Sequence, residues 1–305
     1  MTEYRFTRAP VDDGDLAVGV WNPDATGVPV LAVHGITASH REWPLIAERL
    51  PGTRVIAPDL RGRGRSNALP PPWAMRDHAD DLARVLDAFG VHRAVVVGHS
   101  MGGFVGVRLA QQHGERVAAL VLIDGGLPLP FTPPPGVAAG DIPAALLGPA
   151  GERLKRVFPS RAAYAAFWRG HPAFRENWNE TVAAYVDYDL DEVDEGFRPS
   201  SRFEAIAANV LQQSGDDGYR EALAGLRMPV DFLRAPRGLL NESPGLYPDG
   251  VLAAGLALAP GVRVHDIIDV NHYTIVMTEA GADQVAPFIR AAVRSVGRHE
   301  EVTGR

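Results

Sequence analysis

Apolar and polar residues alternate over residues 3–9 and again over 15–21, on either side of Asp12-Asp13-Gly14. A period of two around a turn-forming tripeptide predicts an antiparallel hairpin at a sheet edge. The pattern then changes. Residues 28–33, 54–57, 94–97 and 117–123 are short runs that are apolar at nearly every position. Such runs predict strands buried on both faces. Between them lie stretches of helical period. Trp43, Ile46, Ala47 and Leu50 recur at helical spacing within 39–50, and a second helix is predicted over 73–89, closed by Gly90. Buried strands alternating with helices predict an α/β fold with a mostly parallel sheet covered on both faces.

The alternation stops after Gly126. A proline-rich entry (Pro128, Pro130, Pro133, Pro134 and Pro135) leads into helical patterns. Strand and helix return with a strand at 228–233, a helix at 250–258, a strand at 262–268 and a helix at 278–296. Residues 127–225 are therefore read as a helical insertion, and residues 1–126 and 226–305 as one core sharing one sheet.

Composition narrows the chemistry. The chain has 305 residues, 46% of them hydrophobic, enough for one large core with an insertion. A net charge of −7 favours neither nucleic acid nor an anionic membrane surface. No cysteine is present, which excludes disulfides, thiol nucleophiles and thiolate metal sites. No His/carboxylate cluster has ligand spacing, so neither metal nor cofactor is expected. No apolar run reaches the roughly 18 residues of a membrane span, and the first residues lack a charged-then-apolar leader pattern. A soluble, cytoplasmic protein without a membrane or nucleic-acid partner is the expectation; oligomeric state is not legible.

The most informative stretch is Val95-Val96-Val97-Gly98-His99-Ser100-Met101-Gly102-Gly103. A buried strand runs into Gly-x-Ser-x-Gly and then into the amphipathic stretch 104–113. Strand, sharp turn and helix are the context in which this pattern presents a nucleophilic serine. The Met101 N–H opens the helix, where unpaired amides and the helix dipole favour a developing negative charge.

Four marks in order resemble those of the α/β-hydrolase fold superfamily: His34-Gly35, Asp59-Leu60-Arg61-Gly62-Arg63-Gly64-Arg65-Ser66, Gly98-His99-Ser100-Met101-Gly102-Gly103 and Asn271-His272. The resemblance covers nearly the whole chain. It implies an eight-stranded, mostly parallel sheet with 127–225 as a helical cap. It also implies Ser100 as nucleophile, His272 as general base, and the N–H groups of Ile36 and Met101 as the oxyanion hole. For the acid, the family's usual Gly-x-x-Asp after the penultimate strand is missing. Leu233-Arg234-Ala235-Pro236-Arg237-Gly238 stands there, with Glu242 the nearest carboxylate on that loop. Asp124, at the end of the strand after the nucleophile strand, is the favoured acid, Glu242 the alternative and Asp269 the third choice.

These roles imply a serine hydrolase cleaving a small, hydrophobic ester, thioester or lactone through an acyl-enzyme. The alternatives are a C–C bond hydrolase or cofactor-free oxygenase on the same fold, or a non-enzymatic ligand-binding member. Ser100 at the elbow disfavours an epoxide hydrolase or dehalogenase, which use Asp there. The insertion is rich in aromatics, including Phe131, Phe158, Tyr164, Phe167, Trp168, Phe174 and Tyr185. Most should form its own core and a few should face the cleft, which leans the substrate toward an apolar or aromatic small molecule. The acidic run Asp187, Asp189, Asp191, Glu192, Asp194 and Glu195 reads as solvated surface. The arginines of the 59–66 loop read as partners of carboxylates, His34 as shaping the oxyanion loop, His99 as packing, and His78, His92, His113 and His299 as surface residues.

Overall fold

The hairpin forms where the alternation places it. Strands β1 (Tyr4–Val11) and β2 (Gly14–Trp21) pair antiparallel in a computed structural model that describes residues 2–131, 135–138, 141–147 and 149–303. β2 is buried along most of its length and pairs antiparallel with β4 (Val55–Pro58). The remaining strands are β3 (Val30–Val33), β5 (Ala94–His99), β6 (Val117–Ile123), β9 (Val230–Arg234) and β10 (Val262–Asp266). They complete an eight-stranded sheet of order β1-β2-β4-β3-β5-β6-β9-β10, parallel from β4 onward.

Every residue of β3, β4, β5 and β6 is buried, as continuous apolar runs require of strands covered on both faces. One core packs β2, β4 and β5 side chains against α2 (Met75–Ala88) and α3 (Met101–Gln112). The opposite face packs against α1 (Pro44–Glu48), α11 (Thr274–Met277) and α12 (Glu279–Thr303). The helix predicted over 39–50 is shorter than its periodicity suggested: a 3-10 turn at His40–Glu42 precedes α1, with Pro44 starting the new helix.

β6 and β9 are neighbours in the sheet, with Leu120 opposite Val230. The whole insertion therefore leaves one strand and returns to the adjacent one. It contains α4 (Ile142–Leu147), α5 (Pro149–Lys155), α6 (Arg161–Gly170), α7 (Glu180–Tyr188), α8 (Phe203–Val210) and α9 (Tyr219–Ala224). A small hairpin, β7 (Leu190–Val193) with β8 (Gly196–Pro199), was not visible in the helical patterns. α10 (Asp249–Leu258) links β9 to β10. Among the described residues no helix is long and apolar enough to cross a membrane.

The acidic run is not uniformly solvated. Asp189 is buried and accepts hydrogen bonds from Arg153 Nη1 at 2.8 Å, Ser200 Oγ at 3.0 Å and the Tyr164 hydroxyl. Arg153 is itself buried, so removing one partner leaves an uncompensated charge. Asp189→Ala is expected to destabilise the fold by about 3–5 kcal/mol, read as a lower midpoint in chemical denaturation; an unchanged midpoint would show that the pair does not hold the insertion together.

Candidate active site

Strand register brings the site together. Val33 lies opposite Gly98, Gly98 opposite Leu122, and Leu122 opposite Phe232. The residues that follow, on β3, β5, β6 and β9, therefore emerge along one sheet edge, where ligands of open α/β sheets bind. Ser100 follows β5 with φ 54° and ψ −125°. This left-handed backbone is costly for a residue with a β-carbon, roughly 1–3 kcal/mol. The turn survives because its surroundings approach backbone to backbone. A β-carbon on Gly102 would stand 2.0 Å from the Val33 carbonyl oxygen, and one on Gly125 would stand 2.0 Å from that of Ser100.

His272, in the loop after β10, is buried beside the same edge. Its Nδ1 lies 2.7 Å from Asp124 Oδ2. A carboxylate only accepts, so Nδ1 carries the proton and Nε2 is left with its lone pair. Asp124 is fully buried, sits at φ 45°, and accepts a second bond at Oδ1 from the Ala235 N–H at 3.1 Å. Burial pulls the His272 imidazole below its ordinary value, against the opposing pull of the Asp124 hydrogen bond. Glu242 is exposed, and its carboxylate accepts from the Leu240 N–H at 2.7 Å. Asp269 is also exposed. The structure thus brings Asp124, and neither of these two, into hydrogen bond with His272.

Ile36 and Met101 flank Ser100. Among the described residues neither of their backbone N–H groups has a protein acceptor. His34 Nε2 accepts the Leu60 N–H at 2.9 Å, so its Nδ1 proton is donated to the Gly35 carbonyl at 2.7 Å. Burial lowers this imidazole to about 4, and a neutral ring bonded on both nitrogens holds the loop.

The 59–66 loop divides by arginine. Arg61 makes a bidentate pair with Asp81 at 3.0 Å, and Arg65 reaches Asp191 at 2.9 Å. Arg63 departs from the expectation. It is fully buried, and among the described residues no carboxylate pairs with it. Its Nε donates to the Ile36 carbonyl at 3.0 Å, and its Nη2 to Asn209 Oδ1 on α8 at 2.6 Å. The Ile36 loop is thereby tied to the insertion. His78, read as a surface residue, is buried beside Arg63 and Asn209.

Ser100, His272, Gly35 and Ile36 line one cavity of about 140 Å³. Leu129, Phe131, Leu146 and Val210 come to it from the insertion, and Leu239 and Leu246 from the loop after β9. Five of the insertion aromatics pack on one another: Phe158, Tyr164, Phe167, Trp168 and Phe174 form a chain of ring contacts with centroids 4.8–6.4 Å apart. Phe131 and Tyr185 face the cavity instead. Glu42, Gln213 and Tyr273 are cavity residues that sequence reasoning did not find, and His99, read as packing, lines the cavity as well. Only Tyr273, beside His272 in sequence, carried a positional signal.

Residues 28–151 match the sequence model of the α/β hydrolase fold family. The chain superposes along nearly its whole length on solved hydrolases of that fold. One is E-2-(acetamidomethylene)succinate hydrolase, at TM-score 0.74 and 22% identity, covering 94% of this chain and all of that one. Another is a thermophilic esterase from Thermogutta terrifontis, at TM-score 0.67 and 25% identity, covering 97% and 99%. The chain has the α/β-hydrolase fold. Among curated proteins it is similar to the lipase LipV of Mycobacterium tuberculosis, 42% identical over 115 residues, which are 38% of this chain and 43% of that protein. The match spans less than half of that relative's length.

Proposed function

We propose that this protein is a serine hydrolase cleaving a small, hydrophobic ester, thioester or lactone through an acyl-enzyme on Ser100. The observation that carries the reading is the Asp124–His272 hydrogen bond, with His272 and the strained Ser100 lining one largely apolar cavity. The neutral Nε2 of His272 takes the Ser100 proton as Oγ attacks the substrate carbonyl, then delivers it to the leaving group. Asp124 fixes the tautomer and stabilises the imidazolium. The Ile36 and Met101 N–H groups receive the oxyanion; one such donor is worth roughly 3–4 kcal/mol in a well-studied hydrolase. Residues 127–225 act as the cap that closes the cavity. At 140 Å³ the space is below the roughly 300–1,000 Å³ of drug-sized ligand sites, which favours a small acyl group.

The test is hydrolysis of a graded p-nitrophenyl ester series. Turnover that is highest for short acyl chains supports the reading. No turnover across the series would overturn it in favour of carbanion chemistry, C–C cleavage or oxygenation, on the same Ser–His pair.

The same reading predicts a pH profile. His272 works as a base only when neutral, and burial lowers its pKa. The acid limb of kcat/KM is therefore expected below the ordinary imidazole value of about 6.5. A limb above that value would mean that burial does not set the His272 pKa.

A further inference from the structure

Beside His272 stands a second carboxylate–imidazole pair that the reaction just described does not use. His99 Nε2 lies 2.8 Å from the backbone carbonyl of His272, and its Nδ1 lies 3.3 Å from Glu42 Oε2. Both side chains are at least 97% buried. The proton count follows from what each atom can do. A carbonyl only accepts, so His99 Nε2 carries a proton. The contact on Nδ1 then needs one more proton, shared between a nitrogen and a carboxylate oxygen that otherwise present only lone pairs to each other. Placed on Nδ1, that proton makes an imidazolium–carboxylate pair. The His99 and His272 rings lie 4.8 Å apart and tilted by 35°.

We propose that Glu42 and His99 form a buried carboxylate–imidazolium couple, packed against His272, that governs the pH at which His272 can accept a proton. The inference rests on His272 being the base. Glu42 and His99 line the cavity but make or break no bond in this scheme; they act through His272 and are positioning residues.

The charges around His272 decide the sign. Asp124 from the end of β6 and Glu242 from the loop after β9 favour its protonated form, and His99 from the end of β5 opposes it. Tyr273 and Tyr185 also face the couple; both are neutral, and the Glu42 charge helps keep them so. Burial alone would strip the proton from His99, but the Glu42 carboxylate, together with the His272 carbonyl and Asp124, raises it above its ordinary value. Burial raises the Glu42 carboxyl as well, and the facing His99 opposes that rise. Of the two couple members, His99 is the one whose ring meets that of His272, while Glu42 lies beyond it on the Nδ1 side. The cation therefore dominates what His272 feels, and like charge disfavours a second protonation.

Glu42→Gln replaces the carboxylate with an amide that can donate to Nδ1, so His99 becomes neutral while keeping its bond to the His272 carbonyl. His272 then loses its cationic neighbour and titrates at higher pH. The experiment is ¹⁵N-histidine NMR against pH on the whole protein, with the signals assigned through His99→Gln and His272→Gln. In the wild type at pH 7 both His99 nitrogens are expected to be protonated. In Glu42→Gln the His99 Nδ1 is expected to be bare and the His272 midpoint displaced upward, with the same upward displacement in His99→Gln. The acid limb of kcat/KM on a p-nitrophenyl ester should move with it. A neutral His99 in the wild type, which needs no variant to fold, would overturn the proposal. So would an unmoved His272 midpoint in both variants. Loss of all esterase activity with the NMR shifts intact would count against the hydrolytic reading and leave the couple standing.

Discussion

Ser100→Ala will reduce ester hydrolysis to background. A triad nucleophile and its base work as a unit, and losing the serine in a well-studied hydrolase costs about 10⁶-fold in kcat. The change removes only Oγ. The left-handed backbone at position 100 remains, as do the Ser100 N–H bond to the Ile123 carbonyl at 2.9 Å and the apolar cavity. Alanine should therefore leave the protein folded and able to bind the ester. Substrate binding by calorimetry alongside the rate assay separates a lost nucleophile from a lost fold. If the variant binds and still turns over at near wild-type rate, the acyl-enzyme on Ser100 is wrong.

Asp124→Asn will lower kcat by about 10⁴-fold, the cost of presenting the imidazole in the wrong tautomer. Asparagine can accept or donate at the Asp124 Oδ2 position, and where its amide donates to Nδ1 the proton is driven to Nε2. The base then has no lone pair facing the nucleophile. Glu242→Gln, on an exposed side chain bonded to its own loop, should leave kcat within a few-fold of wild type. Measuring both variants on one ester decides the acid, since the opposite ranking would place it on the loop after β9.

The sheet was legible because its signals are local. The continuous apolar runs that became β3 to β6 are buried at every position, and the alternating runs became the edge hairpin. The turn at Ser100 was legible because only glycine permits such close backbone approach. Asp124 could be weighed against Glu242 only as a strand-end residue against a loop residue. The contact with His272 depends on how the loop after β10 folds back, and no local pattern encodes that. Glu42 was hidden by its surroundings: in Ser39-His40-Arg41-Glu42-Trp43 it follows three polar residues, yet it is buried against His99. Arg63, His78 and Asp189 were misread for the same reason. A polar side chain is read as exposed until tertiary partners are known, and those partners lie 146, 131 and 36 residues away in sequence, respectively. The hairpin of β7 and β8 was lost because four-residue strands leave too short an alternation to register.

The close backbone contacts at Gly102 and Gly125 divide this molecule into a part that can evolve and a part that cannot. Around Ser100 the chain touches itself through peptide groups, with no room for even a methyl. Substitution there disturbs the turn and the two neighbouring strand ends together. The cavity wall is built the opposite way, from side chains such as Leu129, Phe131, Leu146 and Val210 carried on the insertion. Each can be exchanged singly, at the cost of local repacking. Selectivity can drift through these positions, or be redesigned there, while the geometry at the sheet edge is inherited unchanged.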